Sequence, residues 1–430
     1  MSNRHALTPR PPLGWNSYDC LGCVANERRL LENLRVFVER LQPHGYEYFV
    51  LDGGWYRQHE LGDREFPVPG EPCTVGVDEF GRPQPAPVWF PNGVAAIAAA
   101  CHAHGVRFGI HMMRGIPRVA VERNLPIAGT AWRARDVANP ADGCSWCPDN
   151  CGVNVAHPGG RAYYASVIVQ LADWGVDFIK YDDMIPAPDE VDAVADALAA
   201  CPRPMVLSLS PGDGHHSDRW ATYQRANLIR LTGDIWDDRD GFAQVFERWQ
   251  KLQDRLATWP AGCWVDQDMI PFGELCLWNP DRGVPVGHVA FAGKGVHRRC
   301  QFTPAQQRTF LTMRALGASP LFMGGHLPGT DDATFALLTD PDLLACNQNA
   351  TPGHVTMLSD TLALWQSPER DAPQRGWLGL FNRDPQNVQT VSLDPVRLDL
   401  PRKTEFHVIW GETQLLPDDV LFVRYESASR

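Results

Sequence analysis

The sequence predicts an α/β protein, a (β/α)₈ barrel followed by a smaller antiparallel β-sandwich, and three observations carry that prediction. A helix-period segment, a glycine and a short continuous apolar run recur along the first four-fifths of the 430 residues. Each apolar run stops at polar residues, most often aspartates. Beyond Asn349 the texture changes to short alternating runs separated by Asp, Pro, Asn and Gly. The expected division is a barrel domain over 1–345 and a sandwich over 346–430.

The first apolar run is 13–18. After it, Leu30, Leu31, Leu34, Phe37, Val38 and Leu41 follow the i, i+3, i+4, i+7 spacing of one helix face, Gly45 follows, and the run 46–51 leads into Asp52. The unit returns as 94–104, Gly105 and 106–112, and again as 163–174, Gly175 and 176–181, which ends in Asp182-Asp183. Glycine suits the left-handed residue that closes a helix, and unbroken β-branched and aromatic runs suit strands covered on both faces of a parallel sheet. Four further runs, 205–210, 228–234, 263–270 and 320–323, bring the strands to eight. Thr303-Pro304-Ala305-Gln306 is a capping box with proline at the first helical position, so a helix should start there and feed the last strand. A doubly wound open sheet is the rival architecture. It would normally carry a glycine-rich phosphate loop after strand one, and Gly14-Trp15-Asn16-Ser17 is not such a loop.

The C-terminal runs 355–358, 362–365, 377–381, 406–410 and 420–425 alternate as strands of an antiparallel sandwich do. They offer few clustered acids and read as a packing or accessory module.

A formal net charge of −12 without a Lys/Arg run argues against nucleic acid or an anionic membrane as partner. Residues 1–16 contain no apolar core of a signal peptide, and nothing approaches the roughly 18 apolar residues of a spanning helix, so the expected location is the cytoplasm. There the twelve cysteines should be mostly reduced core residues. Cys144, Cys147 and Cys151 have a spacing that would supply three thiolates to a metal, but no fourth ligand follows from spacing, and a turn-rich loop of buried or paired thiols is preferred. Neither a metal nor another cofactor is expected, and self-association into a homo-oligomer is left open.

Barrel active sites lie where the strands end, and here those ends are rich in carboxylates: Asp52 on strand two, Asp182 and Asp183 on strand four, Asp234 on strand six, Asp266 and Asp268 on strand seven. Alternation along a strand should put Lys180 on the face of Asp182, Arg230 on that of Asp234, and Asp266 on that of Asp268. One such acid is ordinarily a turn former. Six converging on one rim point to use, because unpaired buried carboxylates are costly. Metal-dependent hydrolysis usually adds imidazoles, and the single His-x-His, His102-Ala103-His104, falls at a helix end away from the mouth. Glycoside cleavage needs only an ionised carboxylate and a protonated carboxyl, a difference that Lys180 beside Asp182 and a less solvated Asp234 would create.

Nine ordered segments resemble glycoside hydrolase family 27, the melibiase group: Leu13-Gly14-Trp15-Asn16-Ser17-Tyr18, Val50-Leu51-Asp52, Phe90-Pro91-Asn92-Gly93, Phe108-Gly109-Ile110, Phe178-Ile179-Lys180-Tyr181-Asp182, Arg230 with Asp234-Ile235, Asp266-Gln267-Asp268-Met269, Ala318-Ser319-Pro320-Leu321 and Asn347-Gln348. The resemblance implies a retaining, exo-acting hydrolase of terminal α-linked pyranosides, α-D-galactosides first, with a small glycoside or oligosaccharide as its partner. It implies Asp182 as nucleophile, Asp234 as acid/base, Lys180 and Arg230 as residues that bind and tune the site, and Trp15, Asp52 and Asp266 around the sugar.

The departures fall on the sugar-reading positions. Where the family usually ends strand two with two aspartates that grip the 4- and 6-hydroxyls, Asp52 is followed by Gly53-Gly54-Trp55. His111 replaces an aromatic hydroxyl on strand three and is followed by Met112-Met113-Arg114, strand five ends at Ser208-Leu209-Ser210, and Asp183 replaces a glycine after the nucleophile. Trp55, His111, Arg114 and Asp183 are therefore expected to meet the substrate, with Asp183 either partly standing in for the missing carboxylate or capping the start of the following helix. The alternatives are the same mechanism on a different α-glycoside and a sugar-binding barrel without turnover; a metal-dependent hydrolase ranks below both.

Overall fold

The computed structural model describes residues 4–68, 71–184, 187–210, 219–279 and 295–428. Eight parallel strands form its centre: β1 (Leu13–Asn16), β2 (Tyr48–Leu51), β3 (Arg107–Met113), β4 (Phe178–Asp182), β5 (Val206–Ser210), β6 (Leu228–Arg230), β7 (Trp264–Asp266) and β8 (Leu321–Met323). They pair in the order β7-β6-β5-β4-β3-β2-β1-β8. The ring closes just past β7, where Ile270 makes a parallel bridge to Met323 and its N–H donates to the Phe322 carbonyl at 2.8 Å. All eight expected strands are present, as a barrel.

Helices α1 (Glu27–Arg40), α2 (Val94–Ala103), α3 (Pro158–Asp173), α4 (Pro188–Ala200), α5 (Asp240–Leu256) and α6 (Pro304–Leu316) wrap the strands. α1 follows its sequence pattern: Asn26 caps it by accepting from Arg29 N–H at 2.9 Å, and Leu30, Leu34 and Phe37 are buried. α6 begins with the expected capping box, Thr303 and Gln306 each accepting from the other's backbone at 3.2 and 3.0 Å. Gly105 and Gly175, at φ of +71° and +84°, turn the chain from α2 into β3 and from α3 into β4, a conformation an L side chain resists.

Inside the barrel, Tyr48, Val50, Phe178, Val206, Leu228, Met269 and Phe322 form an apolar plug. Because side chains alternate, the residues one pleat further on, among them Asp52, Lys180, Ser208 and Arg230, stand above this plug toward the C-terminal mouth. Two strands are shorter than the apolar runs suggested. β6 stops at Arg230 and β7 at Asp266, so Asp234 and Asp268 belong to loops and strand alternation does not place them.

A helix over Pro341–Gln348 crosses the expected domain limit, and the next strand begins at His354. β9 (His354–Met357), β10 (Leu362–Pro368), β11 (Arg375–Asn382), β12 (Thr404–Trp410) and β13 (Val420–Ser427) form an antiparallel sheet in the order β9-β10-β11-β13-β12. One face packs on α5, with Trp365 4.9 Å from Trp249 and Phe381 5.3 Å from Phe246 between ring centroids. The other is covered by the two-stranded pair Gln389–Thr390 and Gln414–Leu415, around Leu364, Leu378, Leu380, Leu415 and Val423. This is the second layer of the sandwich. Among the described residues, no helix is long and apolar enough to cross a membrane.

Candidate active site

The floor of the mouth is an ion pair. Lys180 Nζ donates to Asp52 Oδ2 at 2.8 Å, and Asn16 Nδ2 donates to the same oxygen at 2.8 Å. Gly53 N–H donates to Asp52 Oδ1 at 2.7 Å. Burial alone would raise the Asp52 carboxyl, but the charge and hydrogen bond of Lys180 outweigh it and hold the group below the usual carboxylate range.

Asp182 ends β4 beside this pair. Its Oδ2 lies 3.4 Å from His111 Nε2, and its Oδ1 accepts from the Asp183 N–H at 3.0 Å. Burial pushes against ionisation; the hydrogen bond from His111 and the charges of Lys180 and Arg230 win, holding Asp182 well below its ordinary value. Lys180 thus keeps Asp182 ionised through its field while its direct bond goes to Asp52.

Asp234 has the opposite environment. Its side chain is 55% exposed and receives one bond, from Arg230 Nη1 at 2.9 Å. It is thus not the less solvated group that the sequence suggests, yet its carboxyl is raised: the part of the group turned into the mouth loses solvation, the charges of Asp268 and Asp182 add to that, and Arg230 and Lys180 only partly offset them. Asp266 is pushed up to about 6, by burial first and then by Asp268, against Arg230. Two carboxyl groups facing one mouth are therefore biased apart, Asp182 toward the anion and Asp234 toward the acid, which is the division that acid-assisted nucleophilic displacement requires.

Asp52, Lys180, Asp182, Arg230, Asp234 and Asp266 gather at this mouth, and His111 meets it through Asp182. Four expected contacts do not. Trp15 is fully buried on the outer face of β1, stacked on Phe49 at 4.5 Å with Nε1 donating to the Gly325 carbonyl at 2.8 Å. Trp55 props β3 from behind: its Nε1 donates to the His111 carbonyl at 2.9 Å and its ring meets Trp174 edge-on at 5.8 Å. Arg114 is consumed by Asp142, Asp183 and Glu190 at 2.9, 3.1 and 2.9 Å. Asp183, at φ +56° and 11% exposed, answers Arg114 and does not replace a carboxylate at Gly53. Nor does it cap a helix, since α4 begins at Pro188 with Ala187 as its N-cap.

The aromatic residue that does reach the site is Tyr18, three residues beyond Trp15. Its ring lies under Lys180 Nζ at 5.5 Å and 6.3 Å from Trp236, and its N–H donates to Asn16 Oδ1 at 2.8 Å. The family resemblance points to Trp15 there; with Asn16 turned inward to Asp52, the alternate position is Tyr18, and Trp15 falls on the opposite face of β1.

Cys144, Cys147 and Cys151 are free. Cys147 is buried against Cys23 and Met113, with Cys144 at the margin of that cluster, while Cys151 lies 3.8 Å from the Ile116 carbonyl. Among the described residues no group of three or more His, Cys, Asp or Glu side chains is arranged to hold a metal ion. His102 sits at the end of α2, 2.7 Å from Asp177, away from the mouth.

No protein-family model matches the chain. The crystal structure of a glycoside hydrolase family 27 β-L-arabinopyranosidase from Geobacillus stearothermophilus superposes with a TM-score of 0.87 at 32% identity, covering 100% of this chain and 99% of that one. A variant of the same enzyme in complex with arabinose gives 0.87 at 31%, with 100% of both chains covered. Among curated proteins, α-galactosidase of Cyamopsis tetragonoloba is 23% identical over 374 residues, 85% of this chain and 72% of that protein.

Proposed function

Because the chain belongs to glycoside hydrolase family 27, we propose that it is a retaining exo-glycosidase in which Asp182 is the nucleophile and Asp234 the acid/base. The observation that carries this reading is the opposed bias of the two carboxyl groups: His111, Lys180 and Arg230 favour the Asp182 anion, whereas at Asp234 lost solvation and the charge of Asp268 outweigh Arg230 and Lys180. In the first step Asp234 gives its proton to the glycosidic oxygen as Asp182 attacks the anomeric carbon, forming a glycosyl ester and releasing the aglycone. Asp234, now a base, takes a proton from water as the water attacks the same carbon and frees Asp182. Two inversions leave the configuration retained.

The glycone we propose is galacto-configured, without a strong demand at C6. Asp52 and Lys180 present an acceptor and a donor side by side for vicinal hydroxyls, and Gly53 supplies no second acceptor for a hydroxymethyl group. β-L-arabinopyranose is α-D-galactopyranose without that group, with the leaving group in the same orientation, and the Geobacillus relative is named for it. A site that hydrogen-bonds a hydroxyl rejects the analogue lacking it far more strongly than an open site favours either. Terminal α-D-galactosides and β-L-arabinopyranosides should therefore both turn over. Reduced thiols such as those of Cys20, Cys101, Cys147, Cys263 and Cys346 support action in a reducing compartment such as the cytoplasm.

A panel of 4-nitrophenyl glycosides tests this reading. The expected result is cleavage of these two with kcat/KM within about tenfold of each other, and little turnover of other glycones. A preference of roughly a hundredfold for the galactoside would defeat the C6 argument. Binding without cleavage of any glycoside would favour the non-catalytic barrel.

A further inference from the structure

Asp268 stands where three parts of the mouth meet. It is 4% exposed and takes φ +70°, two residues after β7 has ended. One carboxylate oxygen accepts from the N–H of Ile235, the residue after Asp234, at 2.7 Å. The other lies 3.4 Å from Arg230 Nη1, the same nitrogen that donates to Asp234 at 2.9 Å.

Asp268 is itself held from behind. Its N–H donates to Asp266 Oδ1 at 2.8 Å, and its carbonyl accepts from Arg314 Nε at 3.3 Å. Arg314 is fully buried on α6, its guanidinium 3.4 Å from the Phe310 ring centroid, and it also donates to the Gln267 carbonyl at 2.6 Å. A charged-group bond to a backbone amide is among the stronger ones a loop can have, so the Asp234 loop is tied to a rigid element through Asp268.

We propose that Asp268 is a positioning residue for the acid/base, clamping the Asp234 loop through Ile235 and dividing the positive charge of Arg230 so that Asp234 retains its proton. This rests on the reading of Asp234 as acid/base. The titratable groups facing Asp234 among the described residues are Tyr18 and Asp19 from the segment after β1, Lys180 and Asp182 from β4, Arg230 from β6, and Asp268. Burial pushes the Tyr18 and Asp19 groups up, toward their neutral forms, Lys180 is bonded to Asp52, and Asp182 is held ionised. The local balance therefore turns on Arg230 and Asp268.

Asp268→Asn keeps an oxygen for the Ile235 amide and removes the charge; Asp268→Ser serves if that variant does not fold. The pH dependence of kcat/KM is measured on aryl glycosides with good and poor leaving groups, and Asp234 is titrated by carbon-13 NMR, identified by difference from Asp234→Asn. The expected result is a downward shift of the alkaline limb and of the Asp234 titration by about one pH unit, with a loss at neutral pH several-fold greater for the poor leaving group. An Asp234 titration that does not move would overturn the proposal. The titration reads the Asp268 effect whether or not Asp234 is the acid, whereas full turnover of poor leaving groups by Asp234→Gly would defeat the acid/base assignment alone.

Discussion

The Arg114 guanidinium lies 3.1 Å from Asp183 and 2.9 Å from Glu190, and these contacts turn two expected sugar-binding residues into a strut. Glu190 is in turn bonded to the Tyr164 hydroxyl, so β3, β4, α3 and α4 converge on one buried cation. Removing Arg114 strands three carboxylates, Glu190 almost fully buried among them.

Arg114→Ala should therefore lose about 3–5 kcal/mol of stability, the usual cost of leaving buried partners uncompensated. Asp183→Asn, which keeps a hydrogen-bond acceptor, should cost about 1–2 kcal/mol. Chemical denaturation measures both. A rise in KM for Asp183→Asn at unchanged Tm would instead put Asp183 back in the sugar pocket.

Trp15 and Tyr18 should separate in the same manner. Trp15→Phe removes the bond to the Gly325 carbonyl and is expected to lower Tm with near-normal kinetics. Tyr18→Ala removes a ring beneath Lys180 and is expected to raise KM about tenfold with a smaller change in Tm. The reverse pattern would assign the pocket to Trp15.

What the sequence disclosed follows what is periodic. Eight apolar runs, the helices between them and the capping box at Thr303 are signals of burial and backbone bonding, and each is found in the structure. Strand alternation carried Lys180 and Asp182 correctly, because β4 continues to Asp182. Arg230 also meets Asp234, and Asp266 meets Asp268, as expected, but through loops, because both aspartates lie beyond the last ladder bonds of β6 and β7. Whether an ionic side chain faces a ligand or another part of the protein was not legible at all: Arg114 and Asp142 are 28 residues apart, and nothing local announces their meeting.

Asp266 gives a prediction with a definite sign in pH. Its folded value, about 6, lies above the usual carboxylate range of roughly 3.9. A carboxyl raised by folding contributes stability that is present below its unfolded value and is lost as pH rises through the folded one. Asp266→Asn, which can still accept from the Asp268 N–H, should therefore gain on the order of 1–2 kcal/mol relative to wild type at pH 7. The gain should vanish near pH 4. Thermal denaturation at both pH values decides it: equal effects at the two would show that Asp266 does not titrate between them.

The assignment of the two acids is tested most directly by what replaces them. A nucleophile acts in both steps of a retaining displacement, whereas the acid matters most when the leaving group is poor. Asp182→Gly should be inactive on every substrate and regain turnover with azide, which enters the vacated face and gives the glycosyl azide of inverted configuration. Asp234→Gly should still form the glycosyl ester from activated aryl glycosides, fail on sugar or alkyl leaving groups, and yield the azide of retained configuration. A mechanism-based fluorosugar should label the peptide carrying Lys180, Tyr181 and Asp182, on Asp182. Label on Asp183 would contradict the geometry, since that side chain is bound to Arg114. A first-formed sugar of inverted configuration would rule out the double displacement, leaving Asp182 to act as a base on water.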